Sequence, residues 1–220
     1  YEDIKDILTH TPKSKSSWLF SATMPPAVST IAKKFMNKPI EITVGTKNSS
    51  AKNIDHQYFT VAARERYSAL RAVVSMNTDL FGVVFWRTKI ETQKVAEKLI
   101  QDGYKAAAIH GDLSQNQRDI VMQSFRKKRI QLLIATDVAA RGIDVDDLTH
   151  VINYQLPDEI ETYTHRSGRT GRAGKLGTSI IFVTKSDRRK IKLIENKLQT
   201  KLKELQMPSP EEVLTSKITH

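Results

Sequence analysis

Residues 150–184, HVINYQLPDEIETYTHRSGRTGRAGKLGTSIIFVT, decide how the chain is read. The apolar runs at 150–155 and 178–184 read as buried strands, and 158–167 between them reads as a helix. Inside this unit lies His165-Arg166-Ser167-Gly168-Arg169-Thr170-Gly171-Arg172-Ala173-Gly174, three arginines among three glycines in ten residues. Each guanidinium offers donors in a fork suited to phosphate or carboxylate, while each glycine gives up packing for backbone freedom. The combination reads as an anion site. If the helix runs into the stretch, Arg169 and Arg172, three apart, can leave on one side. Standing alone, an Arg/Gly segment reads as a solvated basic loop, so the rest of the chain has to decide.

Working outward, the same alternation holds from Ile54. Strands are expected at 54–60, 81–86, 106–110 and 131–136, and helices at 63–76, 91–101 and 115–125, the first with Tyr67, Leu70, Val73 and Val74 on one face. A charged helix from Asp187 to about Leu205 follows the last strand. Continuous apolar strands alternating with helices predict an α/β fold, a mostly parallel sheet with helices on both faces. Ligands of such sheets sit beyond the carboxyl ends of the strands. The polar clusters at 21–23, 87–89, 110–112 and 136–144, and the arginine stretch, are all expected at that edge.

The first part of the chain is less regular. Residues 1–10 have helical spacing, and Trp18-Leu19-Phe20 reads as a short buried strand delivering Ser21-Ala22-Thr23. Pro25-Pro26 opens a helix through Met36, 39–44 reads as a further strand, and the polar stretch GTKNSSAKN at 45–53 reads as a linker.

Composition narrows the function classes. The chain has 220 residues, 39% of them hydrophobic, which supports a real core. Lys+Arg number 35 against Asp+Glu 24, a net charge of +11, the footprint of a polyanion binder. There is no cysteine, which excludes disulfides, thiolate metal sites and a cysteine nucleophile. The six histidines are scattered, and no metal site is expected. No apolar run approaches a membrane span and no signal-peptide pattern opens the chain, so the expectation is a cytoplasmic protein without a membrane partner. A start on Tyr1 within a helical pattern suggests a piece of something longer.

The phosphate-cradling pattern GxxxxGK[ST] is absent; Gly174-Lys175 is followed by Leu176 where a hydroxyl is needed. Asp144-Val145-Asp146-Asp147 follows Ala-Arg-Gly-Ile, which is no strand core, so an acidic metal-holding cluster is missing too. The chain thus carries arginines suited to a triphosphate with nothing of its own to hold one. The expectation is that the phosphates belong to a neighbouring domain.

Ser21-Ala22-Thr23, Phe85-Trp86-Arg87-Thr88-Lys89, Ala135-Thr136-Asp137 running to Ala140-Arg141-Gly142-Ile143-Asp144, and His165 to Gly174 resemble, in order and spacing, the later motifs of DEAD-box RNA helicases. The resemblance implies a RecA-like fold. Residues 1–44 would be the end of a first, ATP-binding RecA-like domain, 45–53 a linker, 54–206 the second RecA-like domain, and 207–220 the start of a C-terminal extension. His165, where sister helicase groups typically have Gln, points to the DEAD-box branch. Met207-Pro208-Ser209-Pro210-Glu211-Glu212-Val213 is similar to the segment after the core of bacterial cold-shock-type members, which often continue into a dimerisation or RNA-binding tail.

The resemblance also implies roles. Arg169 and Arg172 would be arginine fingers on the terminal phosphates of ATP, itself held with Mg mainly by the upstream domain. Gly142 would lie in the ATP site, and Asp144 would hydrogen-bond the ribose hydroxyls. Ser21, Thr23 and His165 would couple nucleotide state to domain closure. Arg87, Gly111, Gln115, Arg118, Thr136, Arg141 and Gly142 would contact the RNA backbone, which positions without reading bases. Each residue has a plainer reading: Thr23 or Asp144 as a helix cap, Arg87 and Lys89 as solvated charges, Arg118 paired with an acid. A stand-alone RNA-binding module and a DNA translocase remain open as alternatives.

Overall fold

A computed structural model describes residues 2–12, 14–21, 24, 26–43, 53–140, 143, 145, 147–209 and 211–213. The chain divides into two compact units, Tyr1–Ser49 and Ser50–His220.

The first unit contains helices α1 (Glu2–Thr9) and α2 (Pro26–Phe35), the latter started by a proline whose fixed φ suits a first turn. Neither helix has a buried residue. The strand expected at Trp18-Leu19-Phe20 does not form, nor does one at the described residues 39–43. Trp18 and Phe20 are 80% and 85% exposed, their rings stacked on each other at 6.3 Å. A strand exists only against a neighbour that takes its backbone hydrogen bonds, and among the described residues this unit offers none.

The second unit is built on seven strands, β1 (Ile54–Thr60), β2 (Gly82–Trp86), β3 (Ala106–Ile109), β4 (Leu132–Thr136), β5 (His150–Asn153), β6 (Gly177–Val183) and β7 (Lys203–Leu205). They form one sheet in the order β3-β4-β2-β5-β6-β1-β7, and every pairing is parallel. Helices α3 (Arg66–Met76), α4 (Lys89–Gln101), α5 (Gln115–Arg126), α6 (Ile160–Ser167) and α7 (Arg188–Leu198) make the crossovers. Parallel neighbours require such crossovers, and these cover both faces.

Strand alternation sorts the core into two layers. Val84, Trp86, Leu132, Ile134, Ile152, Ile180 and Phe182 face α3 and α4 through Leu70, Val73, Val74, Val95 and Leu99. The intervening residues face the other way. Val83, Phe85, Leu133 and Ala135 meet Met122 and Phe125 of α5, while Ile181 and Val183 meet Tyr163 of α6 and Ile191, Ile194 and Leu198 of α7. The fold is the RecA-like α/β arrangement that the sequence pattern and the resemblance led us to expect.

One correction falls at the end of the unit. The helix expected to reach about Leu205 stops at Leu198, where Gln199 takes a left-handed conformation (φ 52°). Glu195 then accepts the Leu202 amide at 3.0 Å, and Lys203–Leu205 pairs with β1 as a new edge strand. A left-handed cap is usually signalled by glycine or asparagine, and a glutamine carries no such signal.

Candidate functional site

α6 positions the arginines. Tyr163, Arg166 and Ser167, at the i, i+3, i+4 spacing of one helical face, turn inward. The Tyr163 hydroxyl lies 2.5 Å from His56 Nδ1, Ser179 donates to it at 3.3 Å, and Ser179 meets Ser167 at 2.8 Å. This buried polar cluster ties α6 to β1 and β6. Desolvation lowers the His56 pKa to about 4 against the opposing charge of Asp55, and raises that of Tyr163 to about 12. The cluster is therefore held together by neutral donors and acceptors.

Arg166 is 5% exposed, and its charge is met on all sides. Nε donates to Asp137 Oδ1 at 2.6 Å and Nη2 to Oδ2 at 2.7 Å, a bidentate pair with the turn after β4. Nη1 donates to Asn153 Oδ1 at 3.0 Å, at the end of β5, and the guanidinium lies 5.0 Å from the Phe85 ring centre. Beside it opens a cleft of about 380 Å³ lined by Phe85, Asp137, Ala140, Thr162, His165, Arg166 and Arg169. A second hollow of about 240 Å³ shares Phe85, Asp137, Thr162 and Arg166 and extends to Arg87, Gln155 and Asp158.

The expected site residues separate into those the structure gathers and those it does not. His165 and Arg169 line one cleft. Arg172 does not line it; its Nε donates back to the Gly168 carbonyl at 3.0 Å. Because α6 ends at Ser167, the two arginines leave from a loop rather than from one helical face. That loop also corrects the expected placing of every polar cluster at the carboxyl edge. α6 runs back across the sheet, so Gly171 packs against Asn53 and Ile54 at the start of β1, and Thr170 Oγ1 donates to Leu148 O just before β5. The glycine half of the stretch is thus pinned at the amino edge, and Arg169 Nη1 reaches the Ile143 carbonyl at 3.3 Å.

Those expected RNA contacts that the structure describes lie where the strands end. Arg87, after β2, is ion-paired with Asp158, and Lys89 with Asp112 at 2.8 Å. Gly111 follows β3 in a turn with open space where a Cβ would stand. Gln115 opens α5 and bonds Asp119 at 2.8 Å, and Arg118 on the same helix donates to the Ala139 carbonyl at 2.5 Å. Thr136 ends β4, its hydroxyl accepting the Ala139 amide at 3.4 Å. Ser21 is exposed in the first unit. Thr23, Arg141, Gly142 and Asp144 lie outside the described residues. Among the described residues no group of three or more His, Asp or Glu side chains could hold a metal ion.

Sequence reasoning missed Arg166, Asp137 and Asn153, an ion pair and an amide that are the most tightly connected polar groups of the site. The helical period starting from Tyr163 was the available signal, since it turns position 166 inward.

The helicase conserved C-terminal domain family matches residues 65–174, half of the chain. The chain belongs to this family, in its DEAD-box branch. It is 40% identical over 213 residues to the DEAD-box ATP-dependent RNA helicase CshA of Geobacillus kaustophilus, covering 97% of this chain and 46% of that protein. To the ATP-dependent RNA helicase DeaD of Mycobacterium tuberculosis it is 42% identical over 217 residues, covering 99% of this chain and 38% of that one. It thus spans less than half the length of these relatives. Among solved structures, S. cerevisiae Dbp5 bound to RNA and ADP BeF3 matches with a TM-score of 0.87 at 28% identity, over 99% of this chain and 57% of that chain. A DEAD box protein from Methanococcus jannaschii matches at 45% identity with a TM-score of 0.66, over 93% and 55%.

Proposed function

We propose that the chain is the C-terminal part of an ATP-dependent RNA helicase, supplying arginines to an ATP held by an upstream RecA-like domain and half of an RNA-binding surface. The cleft carries this reading: Arg169 and His165 line it together with an Arg166 that Asp137 holds in place. Arg169 and Arg172 would stabilise charge on the departing phosphoryl group, the task of arginine fingers in phosphoryl transfer. Asp144 would hold the ribose and Gly142 would adjoin it. Mg would ride on the phosphates and the upstream domain. Ser21 and Thr23, with His165, would couple nucleotide state to closure.

RNA would be held by its backbone, through Arg87, Gly111, Gln115, Arg118, Thr136, Arg141 and Gly142. Closure on ATP would bend one strand out of a short duplex, and hydrolysis would release it. The similarity to a protein solved with RNA and ADP BeF3 supports both ligands. In this reading 1–44 closes the ATP-binding domain, 45–53 is a linker, 54–206 is the second domain and 207–220 begins a C-terminal extension. The protein works in the cytoplasm, and the chain alone does not hydrolyse ATP.

The test is an Arg169→Ala/Arg172→Ala double variant of the full-length enzyme. RNA-stimulated ATP turnover should fall by about 10³ or more. Turnover at the parent rate would refute the reading.

A further inference from the structure

The residues from Lys185 to Lys203 include eight basic and two acidic side chains, a net +6 out of the chain's +11. None of the expected RNA contacts lies there. The helix α7 in this segment buries Ile191, Ile194 and Leu198, and leaves Arg188, Arg189 and Lys192 exposed. Arg188, Arg189 and Lys190 stand in the first turn with no acidic residue among them, where the helix dipole disfavours cations.

A second segment brings charge to the same place. β1 and β6 end side by side, Thr60 opposite Val183, and Val61 N donates to Val183 O at 2.8 Å. The turn after β1 carries Arg64, and the turn after β6 carries Lys185, both exposed. The neighbouring carboxylates are committed to their own turns. Glu65 accepts the Ala62 amide at 3.3 Å, and Asp187 accepts the Thr184 amide at 2.9 Å and its hydroxyl at 2.8 Å. Glu204, beside Arg188, accepts from Tyr58 and Thr60. Among the described residues no carboxylate is ion-paired with Arg64, Lys185, Arg189 or Lys192.

We infer that Arg64, Lys185, Arg188, Arg189 and Lys192 form a second RNA-backbone surface, which takes the strand where it runs on from the core contacts. The inference rests on the proposed reading of the chain as an RNA binder. Both surfaces lie at the carboxyl ends of the strands. With parallel neighbours about 4.8 Å apart, β6 and β1 end about 10 and 14 Å from Arg87 at the end of β2. A protein partner would call for an apolar centre. Leu193, 55% exposed, is the one large apolar side chain exposed on α7, so phosphate is the chemistry that fits.

The test uses fluorescence anisotropy with labelled single-stranded RNA of about 6 and about 20 nucleotides, bracketing usual site sizes. In Arg189→Gln/Lys192→Gln, affinity for the long strand should fall several-fold and the short strand should bind as before. With two fewer cations on the phosphates, the slope of log affinity against log salt should become shallower by about 1.4. Unchanged affinity and slope for the long strand, or equal loss for both lengths, would overturn the second surface. Arg87→Ala/Arg118→Ala separates the two claims, because it should weaken the short strand. If that pair weakens it and the α7 pair changes nothing, the second surface alone is wrong; if that pair changes neither strand, the core reading itself fails.

Discussion

Arg166 and Asp137, 29 residues apart in the chain, join α6 to the turn after β4 through two parallel hydrogen bonds of 2.6 and 2.7 Å. The arginine side chain is 6% exposed and the aspartate 43%, so one charge is sheltered and its partner faces the cleft. Removing the partner of a fully buried charge costs about 3–5 kcal/mol, and the solvent around Asp137 lowers that figure. Asp137→Ala should therefore cost about 2–3 kcal/mol in urea unfolding. It should also lower RNA-stimulated ATPase in the full-length enzyme, since Arg166 shares the cleft with His165 and Arg169. A variant as stable as the parent would show that Asn153 and the Gln155 carbonyl can hold the guanidinium without Asp137.

Two glycines should respond in opposite ways. A Cβ at Gly177 would stand 2.2 Å from Thr170 Oγ1 and 2.6 Å from the Gly171 backbone nitrogen, whereas at Gly111 it meets nothing within 4 Å. Gly177→Ala should cost about 2–3 kcal/mol because backbone cannot yield. Gly111→Ala should leave the thermal midpoint unchanged while weakening RNA binding, if a phosphate approaches that turn. Equal midpoints for the two variants would contradict the packing described at the arginine loop.

Acid should loosen the second unit through His56. Its folded pKa is about 4 against an ordinary 6.5, so between those values the unfolded chain binds the proton more strongly. Stability is then complete above pH 6.5 and falls as the pH drops toward 4, by at most about 3 kcal/mol from this residue. His150, lowered to about 4 by burial, acts with the same sign. Urea unfolding at pH 7.5 and 4.5 should show a smaller loss in His56→Gln than in the parent. Identical losses would remove His56 from the account.

The ion pair between Arg87 and Asp158 sets an acid beside an expected RNA contact. Both side chains are exposed, at 56% and 72%, so the pair contributes less than about 1 kcal/mol. If a phosphate displaces the carboxylate, Asp158→Asn should tighten RNA binding by up to about fivefold, the equivalent of that energy. Weaker binding in a titration would mean that Asp158 orients Arg87 rather than competing for it.

The order of strands and helices in the second unit was legible because its central strands are short apolar runs set between helical patterns, and every strand from β1 to β6, including the more polar β1, lies within a residue or two of its expected limits. The exposed segment at Trp18–Phe20 was misread for the same reason, since apolarity marks a strand only when a neighbouring strand is there to pair with it. β7 left no trace, being three exposed residues after a glutamine cap.

The residue types that can hold phosphate, and their grouping in one ten-residue stretch, were determined by the sequence alone. Local chemistry suffices for that, because a guanidinium is a forked donor wherever it sits. Which of the arginines is buried as a brace, which lines the cleft, and which edge of the sheet receives the loop were decided by the tertiary structure. Those outcomes depend on where α6 crosses the sheet and on Asp137 and Asn153, groups distant in the chain that only folding brings to Arg166.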